Sequence, residues 1–384
     1  MKLLILLGLF VMPMFAQTNI WKGHIGKSEI YFYLPCDVTK KIDDNNDCGY
    51  GSYFYRKSLQ DIKLEEALPA TKKYKFNLQV KHSLEDNAEP KEFFELNYKN
   101  GQLVGYWSQI GKKLPIKLKP YSYKNKNDDA EEAFTLLRGE FLKFKRGKVQ
   151  KFPKQNKELV WIEEEHTQST MFRLGNGFSS NIRKKLNPIL DKSQEQDALF
   201  ELTCGSRWSY GSGVESLVND VTYLSKDLLG YSSFSSYFCG GAHPDFGTTH
   251  YLVDLHTGKY YALSDIVKFQ KNVPKSTDKW EKRNKYSELV AKKLRELAFK
   301  AEGMELKENK KLEEGDGYDP YSISHWEYMD WSYEKDGIRF FLDFCTASRC
   351  FRGDSYLIPF KLLEPYKNPD FPYAFKNAKA FMSQ

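Results

Sequence analysis

The chain has 384 residues and a mass of 44.9 kDa, with 58 Lys+Arg against 51 Asp+Glu, a formal charge of +7 and a pI near 8.8. Hydrophobic residues at 41% and charged residues at 28% describe a folded chain, with length enough for two or three domains. A mean hydropathy of −0.62 excludes a protein of many membrane spans, and 15% aromatic residues favour strands.

The N-terminus has the form of a secretory signal peptide. Lys2 gives the positive start, residues 3–15 are apolar but too short to span a bilayer, and Ala16 is a suitable last residue before cleavage. The expected mature chain begins at Gln17, is exported to the periplasm or beyond, and has no membrane span after cleavage. Six cysteines agree with export: Cys36, Cys48, Cys204, Cys239, Cys345 and Cys350. Sequence order suggests the pairs Cys36–Cys48, Cys204–Cys239 and Cys345–Cys350.

Residues 17–145 are expected to form an antiparallel β-rich domain, a meander or small barrel. Alternation of apolar and polar residues predicts strands over 28–34, 75–80, 94–98, 103–107 and 114–118. Asn100-Gly101 is a hairpin signal between two of them. Residues 133–142 suit a short helix or strand. Residues 143–157 hold six lysines and Arg146 with no acid, together with Gly147 and Pro153. They mark the domain boundary, as a solvated linker or a lysine-protected strand edge; an anionic surface patch is the functional alternative.

Residues 158–384 are expected to form an α+β domain of mixed strands and a few helices. One helix is predicted from a Ser180 cap with Ile182, Leu186, Ile189 and Leu190 on one face, and Pro188 predicts a kink or early stop. A second is predicted over 278–302, with an Asp278/Glu281 capping box and Gly303 just past its end. Strands are predicted over 200–203, 250–255, 260–263, 338–344 and 355–360.

Several motifs fail on inspection. Residues 23–28 resemble the end of a phosphate-binding loop, but Trp21 stands where its first Gly is needed. Residues 43–49 suggest a calcium loop, but Gly49 comes one place late and Phe54 replaces the bidentate Glu. No metal, cofactor or catalytic residue is assigned. A modest, mostly lysine-borne charge on an exported chain gives no nucleic-acid partner.

The densest signal is residues 239–266. Gly240-Gly241-Ala242-His243-Pro244 allows a close backbone approach, Asp254 can accept from the amides of the turn His256-Thr257-Gly258, and Ser264 or Asp265 can cap a short helical turn. His243, Asp245, His250, Asp254 and His256 crowd 14 positions. Strand alternation puts His250 and Asp254 on one face but about 13 Å apart, too far to share one ion. The reading favoured for His243 is a buried hydrogen bond that organises the Gly-Gly turn. A second cluster, Tyr318, Tyr321, Trp326, Tyr328, Trp331 and Tyr333 with Asp319, Glu327 and Asp330, suits glycan stacking or a protein contact, or else a core edge.

The pattern Gly240–Pro244, Asp254-Leu-His-Thr-Gly-Lys259 and Leu263-Ser-Asp265 resembles the extracytoplasmic domain of RsiV-type anti-sigma factors and PdaC-type peptidoglycan deacetylases, over roughly residues 165–366. The closing runs 338–342 and 356–360 and the strand 221–229 resemble it too; Cys204 and Cys239 are additions. The resemblance implies a binding domain, with lysozyme the known partner of the anti-sigma members. The sigma-binding segment and the deacetylase catalytic domain have no counterpart here. The expectation is therefore an exported, non-catalytic cell-envelope protein that binds an envelope glycan or envelope protein, with His243, Asp254, Tyr318, Trp326, Tyr328 and Trp331 as candidate contacts. Lysozyme binding or inhibition is the first alternative, and a hydrolase using the His243 region the second.

Overall fold

The computed structural model describes residues 19–40, 51–66, 75–80, 92–123, 129–204, 213–239, 243–305, 321–342, 344–345, 350–351, 353–375 and 381–382. The expected signal peptide, Cys48, residues 240–242 and Tyr318 lie outside them. The chain divides into two compact units, one reaching Phe141 and the other starting at Leu142.

The first unit is a meander of β1 (Ile20–Ile25), β2 (Ser28–Tyr33), β3 (Ser52–Tyr55), β4 (Ile62–Lys63), β5 (Glu65–Glu66), β6 (Lys75–Val80), β7 (Glu92–Lys99), β8 (Gln102–Gln109) and β9 (Lys112–Pro120). All pairings are antiparallel, in the order β4-β3-β2-β1-β9-β8-β7-β6-β5. Only Leu64 separates β4 from β5. One short segment therefore pairs with β3 through Ser52↔Lys63 and with β6 through Glu65↔Gln79, joining the two sheet edges into a closed barrel. The Asn100-Gly101 turn forms as predicted, with φ of 52° and 74° at its two residues.

Inward positions alternate along each strand and build one core that includes Trp21, Phe32, Tyr53, Leu64, Phe94, Trp107 and Leu118. The buried Glu92 accepts from the Tyr53 hydroxyl and from Trp107 Nε1, both at 2.8 Å. The outer face of β2 and β3 is covered by α1 (Ala130–Leu137), capped by Asp129, whose carboxylate accepts from the amides of Glu131 and Glu132. Phe134 stacks on Tyr33 and packs on Phe54. Arg138, 1% exposed, lies over the rings of Phe54 and Phe134, donates to the carbonyls of Leu59 and Phe134, and pairs with Asp61.

The second unit begins with β10 (Phe144–Phe152), β11 (Lys157–Glu164) and β12 (Thr170–Leu174), a three-stranded sheet with β10 at its edge. The lysine run at 143–157 is thus strand, turn and strand. Cross-strand acids pair with Lys143, Lys145 and Lys151 through Glu165, Glu163 and Glu158, and Lys148 covers the Trp161 ring. This is the lysine-protected edge, with three of its lysines paired across the strands, and not a linker.

α2 (Ser180–Thr203) follows, capped by Ser179, not Ser180, and it runs through Pro188. The strand expected at 200–203 is its last turn, because Ala198, Leu199 and Leu202 extend the buried stripe of Ile182, Leu186 and Leu190. Ile189 faces outward. The central sheet is β13 (Gly213–Leu224), β14 (Leu228–Phe238) and β15 (Asp245–Asp254). α3 (Leu263–Ile266), α4 (Trp280–Glu302), α5 (Ile323–Glu327), β16 (Asp330–Tyr333), β17 (Gly337–Phe341), β18 (Phe344–Cys345), β19 (Cys350–Phe351), β20 (Ser355–Pro359), α6 (Phe360–Leu363) and β21 (Phe381–Met382) complete the unit. β21 pairs with β13, and β16, β17 and β20 form a separate sheet. One face of the central sheet packs Val221, Leu229, Tyr231 and Val253 with α2 and β12; the other packs Tyr223, Leu228 and Leu252 with α4, β17 and β20.

Residues 260–263 form a single bridge, Tyr260 to Val253, before α3, where a strand was expected. α4 starts at an uncapped Lys279, so the Asp278/Glu281 box does not form; Asp278 instead accepts from the Lys275 amide. Gly303 ends α4 at φ 68°, as expected. Cys204, after α2, is disulfide-bonded to Cys239, after β14. Cys36 is also disulfide-bonded. The backbones of Cys345 and Cys350 face each other across the β18–β19 hairpin.

Arg138→Ala should destabilise the first unit by about 3 kcal/mol, because it leaves the buried Asp61 with only the partly exposed Lys63 as partner. Urea denaturation followed by tryptophan fluorescence checks this.

Candidate functional site

β15 brings the 243–265 segment into the central sheet, and its end carries the most densely bonded side chain there. Asp254 is 2% exposed. Its Oδ1 accepts from the amides of His256 and Thr257, both at 2.8 Å, and its Oδ2 from the hydroxyls of Tyr261 and Tyr373, both at 2.7 Å. The first two bonds are those the turn pattern predicted; nothing in the sequence pointed to Tyr373. Burial alone would raise the Asp254 pKa, but Tyr373, the Thr257 amide, Tyr261 and the His256 amide outweigh it and hold the carboxyl down at about 2. Gly258, at φ 75°, closes the turn, and Asp265 caps α3 by accepting from the Ala262 amide.

The histidines are placed separately. His250 Nδ1 lies 2.6 Å from Asp330 Oδ2, the His250 amide donates to the same oxygen, and the ring stacks on Phe341 with centroids 4.6 Å apart. His256 Nε2 lies 2.8 Å from Asp227 Oδ1. His243 is partly exposed, and its Nδ1 lies 2.8 Å from the carbonyl of Pro244, its own neighbour. The bond expected between His243 and the Gly240-Gly241 turn involves residues outside the described ones. Among the described residues, no group of three or more His, Cys, Asp or Glu side chains could hold a metal ion.

No protein-family model and no curated protein matches the chain. Solved structures similar to it include two DUF3298 family proteins. One is a DUF3298 family protein from Pseudomonas aeruginosa PAO1, with 15% identity over 60% of this chain and 96% of that one, at a TM-score of 0.30. The other is a DUF3298 family member from Bacteroides fragilis NCTC 9343, with 14% identity over 60% of this chain and 94% of that one, at a TM-score of 0.32.

The aromatic cluster splits into separate environments. Trp326 is 0% exposed, against Phe299 and Tyr356, so its ring is core and cannot meet a ligand. Trp331 is half-buried against the same core. Tyr328 is 83% exposed. Among the described residues, no helix is long and apolar enough to cross a membrane.

A surface the sequence reading missed lies on the barrel. An open groove of about 720 Å³ is lined by residues of β1 and β9, among them Lys22, Lys117, Lys119 and Pro115, and by Tyr121 just after β9. The signal was present in β9: positions 113, 117 and 119 share one parity and are all lysine.

Because the folded pKa of Asp254 is about 2, below its ordinary 3.8, its stabilisation is complete above about pH 4 and is lost as pH falls toward 2. Asp254→Asn should cost about 2 kcal/mol at neutral pH and remove that part of the acid limb. Urea midpoints from pH 7 to 2 for both proteins test this.

Proposed function

We propose that this chain is an exported, non-catalytic protein of the cell envelope that binds an envelope glycan or an envelope protein. The observation that carries this reading is the bonding of the acid–base groups at 243–265. Asp254 has both oxygens filled by four donors, and its low pKa keeps it from acting as a proton donor near neutrality. His250 and His256 are each held against a different carboxylate, and among the described residues His243 meets only the carbonyl of its neighbour Pro244. These bonds support reading the segment as one that holds a shape. The signal-peptide pattern read in residues 1–16 and the disulfide between Cys204 and Cys239 support export.

Lysozyme is the alternative partner, on the sequence resemblance. A formal charge of +7 gives no long-range attraction to a cationic lysozyme, so such binding would depend on short-range contacts.

The mature protein should be retained by an isolated envelope fraction at physiological salt and should release no new products from peptidoglycan, with or without divalent metal. Fragments that vanish in a His243→Ala variant would establish the hydrolase reading instead. Tyr328→Ala should leave the melting temperature unchanged and report by its retention whether that ring is a contact. Trp326→Ala should cost about 3–5 kcal/mol by urea denaturation, as a core truncation.

A further inference from the structure

The geometry points to a binding site for an acidic, carboxylate-bearing glycan in the groove over the β1–β9 seam of the barrel. This inference rests on the reading of the chain as an envelope binder, and adds the charge of the glycan and the surface that takes it.

The β1–β9 ladder consists of the pairs Trp21↔Pro120 and Lys22↔Lys119. The second pair sets two lysines directly opposite each other on the outer face. Like charges at directly opposed positions repel and weaken a ladder. Lys117 lies two residues along the same face, about 7 Å from Lys119 at strand rise. Lys22 is balanced by Glu29 at 3.1 Å, a carboxylate that also meets Arg56 at 3.2 Å. The Tyr31 hydroxyl, against the opposing effect of burial and together with Glu29, holds the Lys22 pKa above its ordinary value, so its charge persists. Lys117 and Lys119 have no ion pair among the described residues, and both are exposed.

The β10 edge differs in part. There, Lys145 and Lys151 have acids directly across the strand pair, and Lys143, just before the strand, pairs with Glu165, while Arg146 and Lys148 have no ion pair among the described residues. In the barrel groove neither Lys117 nor Lys119 has such an acid, and Lys119 faces a second lysine instead. An anion lying in the groove would relieve the Lys22/Lys119 repulsion and pair with Lys117.

The walls define the rest of the ligand. Tyr121 lines the groove, with its ring held edge-on against Tyr31 at 5.2 Å. Pro115 and Pro120 line it too, with ring C–H surface and no amide donor. Flat apolar patches beside mobile ammonium groups suit sugar rings, which stack their C–H faces while their carboxylates meet lysine. A linear glycan can lie along such an open groove and meet lysines in succession.

The test uses calorimetry on the full mature chain. The probes are a uronic-acid oligosaccharide and a neutral chito-oligosaccharide of equal length, at low and at physiological salt. The uronate should bind, with affinity falling as salt screens the lysines. Lys117→Glu/Lys119→Glu should weaken it at least tenfold. Lys143→Glu/Lys145→Glu, with the same change in net charge, should weaken it less than twofold. Equal losses in the two variants, or none in the first, would overturn the proposal. So would tighter competition for the groove by anionic vesicles or a single-stranded oligonucleotide. Retention by an envelope fraction without uronate binding removes this inference and leaves the envelope reading standing. Failure to retain any envelope fraction removes that reading itself.

Discussion

Asp254 ties three parts of the second unit to one carboxylate. Its four donors come from the turn after β15, from Tyr261 ahead of α3, and from Tyr373 near the end of the described chain. A buried charge without such partners would cost several kcal/mol. With them, it fixes where the turn closes, how α3 leaves the sheet and where the C-terminal segment docks. Phe371 packs on Tyr261, and Phe375 on Phe360, so the tail joins the same core that holds α4 and β17.

The first unit solves a different problem by similar means. A closed barrel leaves little room inside, and its interior is filled by aromatic and aliphatic side chains packed around a buried carboxylate. Glu92 is accommodated because Tyr53 and Trp107 both donate to it. Outside, Arg138 reaches two backbone carbonyls and Asp61 from beneath α1. Each unit therefore uses a buried charge to position elements distant in sequence, and in neither does that charge face an open cleft.

Much of this was legible in residue patterns. Period-two alternation located β2 and β6–β9, because one face of each strand is buried in the barrel. Asn100-Gly101 marked its hairpin, since a turn with both φ positive favours those residues. Sequence order gave the Cys204–Cys239 bond. The failures have physical causes. The lysines at 143–157 concealed β10, because ion pairing between strands is invisible until the partner strand is known. The end of α2 looked like a strand because four residues cannot distinguish the two periods. Tyr373, 119 positions from Asp254, had no local signal at all. For the candidate contacts the sequence could supply residue types but not exposure, so Trp326 and Tyr328, two positions apart, looked alike and lie in opposite environments.

The one-residue spacing at Leu64 sets the terms on which this barrel can vary. Hairpin tips such as the one at Gly111 stand clear of neighbouring atoms and can lengthen without disturbing a ladder. The segment around Leu64 cannot, because both of its halves are already in register with different strands. Gaining or losing a single residue there would reverse the facing of every side chain on one half. It would turn Leu64 out of the core or leave the cylinder unsealed, with two bare edges open to other chains. Length changes in descendants of this sequence should therefore collect at the tips and avoid the seam.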